Sequence, residues 1–302
     1  MPTARPSAGP SRFRAQLVRG LGASGRTLRP RLPSRPTPVS PRSPGCPGVC
    51  GLSGKARTLS WSWTIHHGDA LAVLPTLPAD SVDCVLTDPP YNSGGWTAAE
   101  RRIDTTRGKY VSSTTQHVLP DFAGDNRDQR SYCYWLTLLL AEALRLATPG
   151  ASCLVFTDWR QLPSTSDALQ AAGWTWRGII PWRKPISRPQ RDGFRRECEY
   201  ILWGSHGPLA RHSDPVYLPG LVEGSQPRGK DRLHITQKPI TALRQLVRIC
   251  PPGGTVLDPC AGSGSTGIAA LAEGRKFVGI EITEHYAAVA RQRLQETYPQ
   301  SA

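Results

Sequence analysis

From Trp61 onward, short apolar runs rich in β-branched and aromatic residues alternate with stretches of helical period. No other feature constrains the fold as much, because strands alternating with helices build an α/β sheet covered on both faces. Seven runs read as strands: TIHH near 64 to 67, VDCVLT at 82 to 87, SCLVFT at 152 to 157, WTWRGII at 174 to 180, EYILW at 199 to 203, TVLD at 255 to 258 and KFVGIE at 276 to 281. Tyr132, Trp135, Leu136, Leu139, Leu140, Ala143 and Leu144 recur at three- and four-residue steps, predicting a helix that Pro149-Gly150 stops. A further helix is expected to open at Pro239, where the missing N–H costs nothing, and to carry Ile240, Leu243 and Val247 inward. Thr283 is placed to cap a last helix, EHYAAVARQRLQ, with Glu284 near its positive end.

The first 60 residues do not share this pattern. They hold ten prolines, frequent Gly and Ser, and no acid, the first carboxylate being Asp69. Such a segment cannot bury enough apolar surface to offset its ordering entropy. Eleven of the basic residues lie there, leaving +3 of the formal +14 for residues 61 to 302. The expectation is a disordered basic Pro/Arg-rich extension over 1–60, or an over-extended gene start; a transit peptide or a nucleic-acid-binding arm fits the same composition. Residues 61–302 form the single domain proper, and 38% hydrophobic residues suffice for its core.

No apolar run approaches the roughly 18 residues of a membrane span, and no apolar signal core follows Met1. The protein is therefore expected to be soluble and intracellular. Its eight cysteines are scattered; Cys46 and Cys50 lack a second ligand pair, so no metal site is expected.

Two stretches fit neither strand nor helix. Residues 92 to 130 are polar and contain Gly94, Gly95, Gly108 and Gly124; a loop this long in a compact domain is usually functional. The other runs from Trp182 to about Leu233, around WRKPISRPQRDGFRRE. It gathers Arg183, Lys184, Arg188, Arg191, Arg195 and Arg196 against Asp192 and Glu197. The choice there lies between a solvated basic loop and a surface for phosphates or guanine edges.

VLDPCAGSGSTGIAA at 256 to 270 reads as a strand ending at Asp258, a turn with Gly262 and Gly264, and a helix opened by small residues. Glycines let the backbone approach a ligand closely, and a helix N-terminus supplies N–H donors. Glu281 ends the next strand 19 residues after Gly262, where an acid can bind ribose hydroxyls. A tight β-turn-α connection with a surface Glu is the plainer alternative, and Gly267 keeps the spacing of a dinucleotide site open. TDPPY at 87 to 91 sets a carboxylate, two prolines and an aromatic ring at another strand end; read alone, it could be a stiff turn with a packing tyrosine.

Taken together, these segments resemble the β-type amino-group DNA methyltransferases, in which the catalytic motif precedes the cofactor motif. The resemblance rests on HGDALAVLPTLPADSVDCVLTDPPY, then HITQKP at 234 to 239, then VLDPCAGSGSTGIAA and FVGIEI, spanning about Ile65 to Leu294. It implies a Rossmann-like seven-stranded methyltransferase sheet, circularly permuted, with the Asp258 strand between the Glu281 strand and the DPPY strand. The strand ending before Asp69 then lies beyond the Glu281 strand, and S-adenosylmethionine is the methyl donor.

Roles follow by resemblance. Asp88, Pro89, Pro90 and Tyr91 form the catalytic motif that receives a flipped-out base. Glu281 binds the donor's ribose, Asp69 its adenine amino group, and the turn at Asp258, Pro259, Gly262 and Gly264 its amino-acid portion. Lys238 borders the methionine end, although an ordinary helix-entry lysine, like a helix-capping Asp69, fits the residues too. The insertion around 182–233 becomes a target-recognition element on double-stranded DNA. Adenine N6 is favoured over cytosine N4 because an acid at the first motif position is more usual for adenine enzymes. A cognate restriction enzyme is a further expected partner, and the cytoplasm, at the nucleoid, the expected location. A catalytically silent DNA- or cofactor-binding module is the alternative from another class; a glutamine-methylating enzyme is disfavoured because its cofactor motif comes first.

Overall fold

The computed structural model describes residues 62–91, 127–185, 187, 189–211, 215–226 and 237–300. All fall in the second of two units, Arg57–Ala302. The basic extension, most of the 92–130 loop, Arg188 and the HIT of HITQKP lie outside the described residues.

All seven expected strands are present, as β1 (Trp63–His67), β2 (Val82–Thr87), β3 (Ala147–Thr157), β4 (Thr175–Arg183), β5 (Cys198–Ser205), β7 (Thr255–Asp258) and β8 (Lys276–Glu281). An eighth, β6 (Val222–Glu223), is two residues long and was not anticipated; so short a segment has no period to read. They form one sheet in the order β1-β8-β7-β2-β3-β5-β4-β6. The strand of Asp258 thus lies between those of Glu281 and DPPY, with β1 beyond, in the order the resemblance implied. From β1 through β3 every pairing is parallel, and β5 pairs antiparallel with both β3 and β4.

Strand residues alternate between two cores, as period-2 geometry requires. On one face Cys84, Leu86, Leu154 and Phe156 pack with α4 (Ile240–Val247), α5 (Ser265–Ala272) and α6 (Glu284–Thr297). On the other, Val85, Cys153, Val155 and Ile280 pack with α1 (Ala70–Val73), α2 (Gln129–Leu146) and α3 (Leu162–Ala171). The helix after β7 and the helix before β3 therefore cover opposite faces. The connections thus switch face between the paired strands β7 and β2, and the place outside their carboxyl ends is the crevice where ligands usually bind in such sheets.

Four local expectations need correction. Helix α2 ends at Leu146, and Pro149-Gly150 lies inside the first residues of β3. Gly150 has φ +84°, and a Cβ there would stand 2.7 Å from the Ala210 backbone N, so the pair shapes a close approach at the strand start. Pro239 is the N-cap of α4 and not its first turn, and Ala242, Leu243, Leu246 and Val247 form its buried face, with Ile240 half-buried. Thr283 occupies the N-cap of α6 but makes no side-chain cap; its N–H donates to Glu281 Oε1 at 2.8 Å. Strand β4 also runs on through Trp182 and Arg183, residues that the sequence pattern placed in the insertion.

Helix α3 was not expected from LPSTSDALQA. Asp158 starts it, accepting N–H donors of Arg160 and Gln161 at 3.0 Å each, and Pro163 sits in the first turn where no donor is lost. Its Thr165 hydroxyl bonds Gln161 O at 2.8 Å and reaches Tyr132 Oη at 3.2 Å, so polar residues line a buried helix face. Among the described residues, no helix is long and apolar enough to cross a membrane.

Candidate active site

Strand β2 delivers Asp88 to the crevice directly after Thr87, and the two prolines turn the chain so that Tyr91 is buried. Lys238, just before α4, reaches the same place from 150 residues away: its Nζ stands 2.5 Å from Asp88 Oδ2 and is almost wholly buried. The ammonium also lies over three aromatic rings, 5.2 Å from the centroid of Phe156 and 5.7 Å from those of Tyr91 and Trp182. An aromatic face partly replaces lost hydration, but a cation this deep needs an anion as well.

A second anion is present. Glu199, on β5, accepts from Lys184 Nζ at 2.7 Å and from the Tyr91 hydroxyl at 3.2 Å, and its Oε2 lies 3.8 Å from Lys238 Nζ. Burial opposes the charge of Glu199, but Lys238, Lys184 and the two hydrogen bonds outweigh it and hold the carboxyl below its ordinary range. Two lysines and two acids thus balance in a buried cluster. Glu199 was not singled out from the sequence. One signal was available: in EYILW an acid opens an apolar strand, and an inward acid requires a partner.

On the adjoining strand, Asp258 ends β7 and is buried. Its Oδ1 accepts the Cys260 N–H at 3.0 Å. Burial pushes its carboxyl up to about 7, against hydrogen bonds from Thr266 and Cys260, and the negative charge of Asp88 adds to the rise. That coupling places the two motif aspartates in one electrostatic environment. After Pro259 the turn passes through Gly262 and Gly264 with φ +50° and +78°, conformations that favour glycine. A Cβ on Gly264 would stand 3.1 Å from the Ala290 Cβ of α6, and one on Gly267 only 2.6 Å from Phe277 Cδ1. Gly267 therefore seats α5 against β8.

Glu281 closes this side. Gly262 N–H donates to its Oε2 at 2.9 Å, and burial raises its carboxyl. The Thr283 N–H and hydroxyl also bond the carboxylate, which as an acceptor-only group with two oxygens keeps lone pairs for ligand hydroxyls. Asp69 sits beside it, exposed; the preceding Gly68 donates to Glu281 O at 3.0 Å, and Asp69 Oδ1 caps α1 through Leu71 N–H at 3.0 Å. Buried carboxylates, left-handed glycines and a helix start converge here. The donor set suits a ligand with hydroxyl groups at one end and a positive charge at the other.

The five described basic residues of the insertion separate. Arg183 is held by Glu223 at 3.0 Å and Glu197 at 4.0 Å on the surface. Lys184 turns inward to Glu199. Arg191 and Arg195 are exposed, Arg191 beside Asp192 at 3.4 Å. Arg196 sets its guanidinium 5.9 Å from the ring centroid of Trp159, an exposed residue just past the end of β3 that the sequence did not single out. Phe194 between them is fully exposed.

An open, largely parallel sheet with an acid-Pro-Pro-Tyr corner beside a glycine turn defines a Rossmann-like enzyme of the methyltransferase class. A family model described as DNA methylase matches residues 82–292, and the chain belongs to that N6/N4 DNA methylase family. YubD of Escherichia coli (strain K12), named as a methylase, is 33% identical over 229 residues, 75% of this chain and 88% of that one. The type II methyltransferase M.Cfr9I of Citrobacter freundii is 28% identical over 271 residues, covering 77% and 87%. Among solved structures, the M1.HpyAVI–SAM complex superposes with a TM-score of 0.55 at 23% identity, covering 77% of this chain and 98% of that one. The cytosine-N4-specific PvuII DNA methyltransferase gives 0.55 at 17% identity, covering 79% and 92%.

Proposed function

We propose that the protein transfers the methyl group of S-adenosylmethionine to the exocyclic amino group of a base flipped out of duplex DNA, adenine N6 in preference to cytosine N4. The observation that carries this reading is the parallel pairing of β2 with β7, which sets Asp88 and Asp258 at the carboxyl ends of adjacent strands. The donor supplies an electrophilic methyl group when bound. Glu281 accepts its ribose hydroxyls, Asp69 its adenine amino group, and the Asp258-Pro259-Gly262-Gly264 turn its amino-acid portion, with Lys238 at the border between donor and base. Asp88 and the Pro89 carbonyl accept the two hydrogens of the target amino group, drawing its nitrogen towards tetrahedral geometry with the lone pair aimed at the methyl. Pro89 and Pro90 fix these acceptors before the reaction. Tyr91 stacks on the base and returns about 1 to 3 kcal/mol of the cost of flipping.

Duplex DNA meets the insertion, where exposed Arg191, Arg195 and Arg196 bind phosphates or base edges, with Arg183 and Arg188 as further candidates. Lys184 contributes through Glu199. The chain order is read as a circular permutation, the location as cytoplasmic and nucleoid-associated, and the likeness to a type II methyltransferase supports a cognate restriction enzyme as partner. Cytosine N4 remains the second reading, favoured by the shared fold of the PvuII enzyme. Incubation with donor and unmethylated genomic DNA, followed by long-read mapping, tests the proposal. N6-methyladenine at one recurring sequence is expected; N4-methylcytosine overturns the choice of base, and unmodified DNA overturns the activity.

A further inference from the structure

One of the two carboxyl oxygens of Asp88, the proposed acceptor for the target amino group, is engaged by a cation. Lys238 Nζ lies 2.5 Å from Asp88 Oδ2. A carboxylate oxygen paired with an ammonium is a weaker acceptor for an incoming N–H, and a cation at that oxygen opposes the positive charge that grows on the base nitrogen. Full acceptor strength at Oδ2 therefore requires the lysine to shift away without leaving the crevice, since a buried ammonium stripped of its partner is costly.

Its alternative partner is in place. Glu199 Oε2 stands 3.8 Å from Lys238 Nζ, so rotation about the end of a flexible side chain closes the contact. Glu199 itself cannot follow the cation, because Lys184 holds its other oxygen at 2.7 Å. The same Oε2 accepts the Tyr91 hydroxyl at 3.2 Å, tying the stacking ring to the receiving carboxylate. Neither Glu199 nor Lys184 belongs to the motifs that carry the resemblance.

We propose that Glu199 is a positioning residue that receives Lys238 when the target base takes Asp88, and that steadies Tyr91 through its hydroxyl meanwhile. The inference rests on Asp88 being the acceptor for the base. Lys184 is the anchor that keeps Glu199 ionised and fixed. Base entry and lysine displacement are then one exchange of hydrogen bonds, with the charge inside the cluster conserved throughout.

The test uses the full chain, duplex DNA carrying the mapped site, and tritiated donor in single turnover. Glu199→Gln keeps the shape of the side chain and removes its charge. The methyl-transfer rate is expected to fall about ten- to a hundredfold, as for the loss of a buried charged hydrogen-bond partner, with donor affinity unchanged and the melting temperature lowered because Lys184 loses its anion. In a Lys238→Met background the same substitution is expected to cost under about threefold, because there is no longer a cation to receive. Equal losses with and without Lys238, or a Glu199→Gln enzyme as fast as the wild type, overturn the proposal. Should Glu199→Gln not fold, Glu199→Asp carries the test: it keeps the charge but withdraws it by one methylene, so a partial loss of rate is expected and an unchanged rate overturns the exchange. Asp88→Ala, run in parallel, separates the two levels. If it retains turnover, the acceptor assignment itself fails, whatever Glu199 does.

Discussion

The two sides of the crevice are built by different means. On the β7–β8 side the backbone does the shaping: left-handed Gly262 and Gly264, the N–H of Gly262 on Glu281, and Gly267 pressed against Phe277 are all set within one strand–turn–helix–strand unit. On the β2 side the holding groups are charged side chains, Asp88, Lys238, Glu199 and Lys184, brought from the end of β2, the paired ends of β4 and β5, and the residues before α4. The backbone side is stiff because any added atom collides. The side-chain side can exchange partners because its charges balance and its lysines are flexible. In the proposed reaction this division is apt, since the donor needs a fixed seat and the base must enter and leave.

The sharpest way to break that contrast is to remove the base acceptor. Asp88→Ala is expected to lower methyl transfer by about 10³-fold while leaving donor binding nearly intact, because the proposed seat of the donor lies on the other strands. Turnover can be followed with tritiated donor and binding by equilibrium dialysis. Loss of both would show that the two sides are not independent. Tyr91 should respond in two steps. Tyr91→Ala loses stacking worth about 1 to 3 kcal/mol, whereas Tyr91→Phe loses only the bond to Glu199, about 1 kcal/mol. Base-analogue binding to the two variants measures the gap, and equal losses would count against stacking.

On the stiff side, Gly267→Ala places a Cβ within 2.6 Å of Phe277 and should destabilise the fold by about 1 to 3 kcal/mol, since overpacking at a helix–strand contact cannot relax cheaply. Urea unfolding gives the value. A neutral result would mean that α5 is free to slide, and that the donor side is less rigid than its glycines imply.

The same division explains what the sequence revealed. The donor side was legible because its determinants are local: VLDPCAGSGSTGIAA carries strand, turn and helix in one stretch, and Glu281 follows 19 residues after Gly262. DPPY was legible as a motif, but its supports were not. Lys238 is 150 residues from Asp88, and Glu199 is 108 from Tyr91. Lys184 was counted with the insertion's cations, although strand alternation past residue 180 pointed inward: Trp182 is buried, Arg183 exposed, and Lys184 turns back to Glu199. Its N–H extends the β4–β5 ladder by donating to Glu197 O at 2.7 Å. Helix α3 was not legible because its buried face mixes Ser164 and Thr165 with Ala168 and Leu169, which breaks the apolar period.

Titration offers a finer probe of the donor side. Asp258 is raised from 3.8 to about 7, so between those values the folded protein holds a proton that the unfolded chain has released. Its contribution to stability is therefore greatest below about pH 4 and is lost as the pH rises through about 7. An ammonium on the bound donor favours the ionised carboxylate, so donor affinity should rise across the same window. Asp258→Asn is expected to flatten both profiles, read by thermal melts and donor titrations from pH 5 to 8. A profile unchanged in the variant would place the responsible group elsewhere, Glu281 being the nearest alternative because burial raises it as well.

The smallest effect belongs to the loop proposed to face DNA, where Arg191 and Arg195 are exposed. Arg191 is almost fully exposed, with Asp192 at 3.4 Å as an equally exposed companion, so screening leaves that pair little strength and the guanidinium can turn to a phosphate. Arg191→Ala should weaken DNA binding by a few-fold and reduce the slope of log affinity against log salt by about one. Donor binding and the single-turnover rate on saturating DNA should not change. If the rate falls while the salt slope stays the same, Arg191 acts on the base side of the crevice and not on the backbone of the duplex, and the boundary between recognition loop and charge cluster lies closer to Asp192 than the inward turn of Lys184 implies.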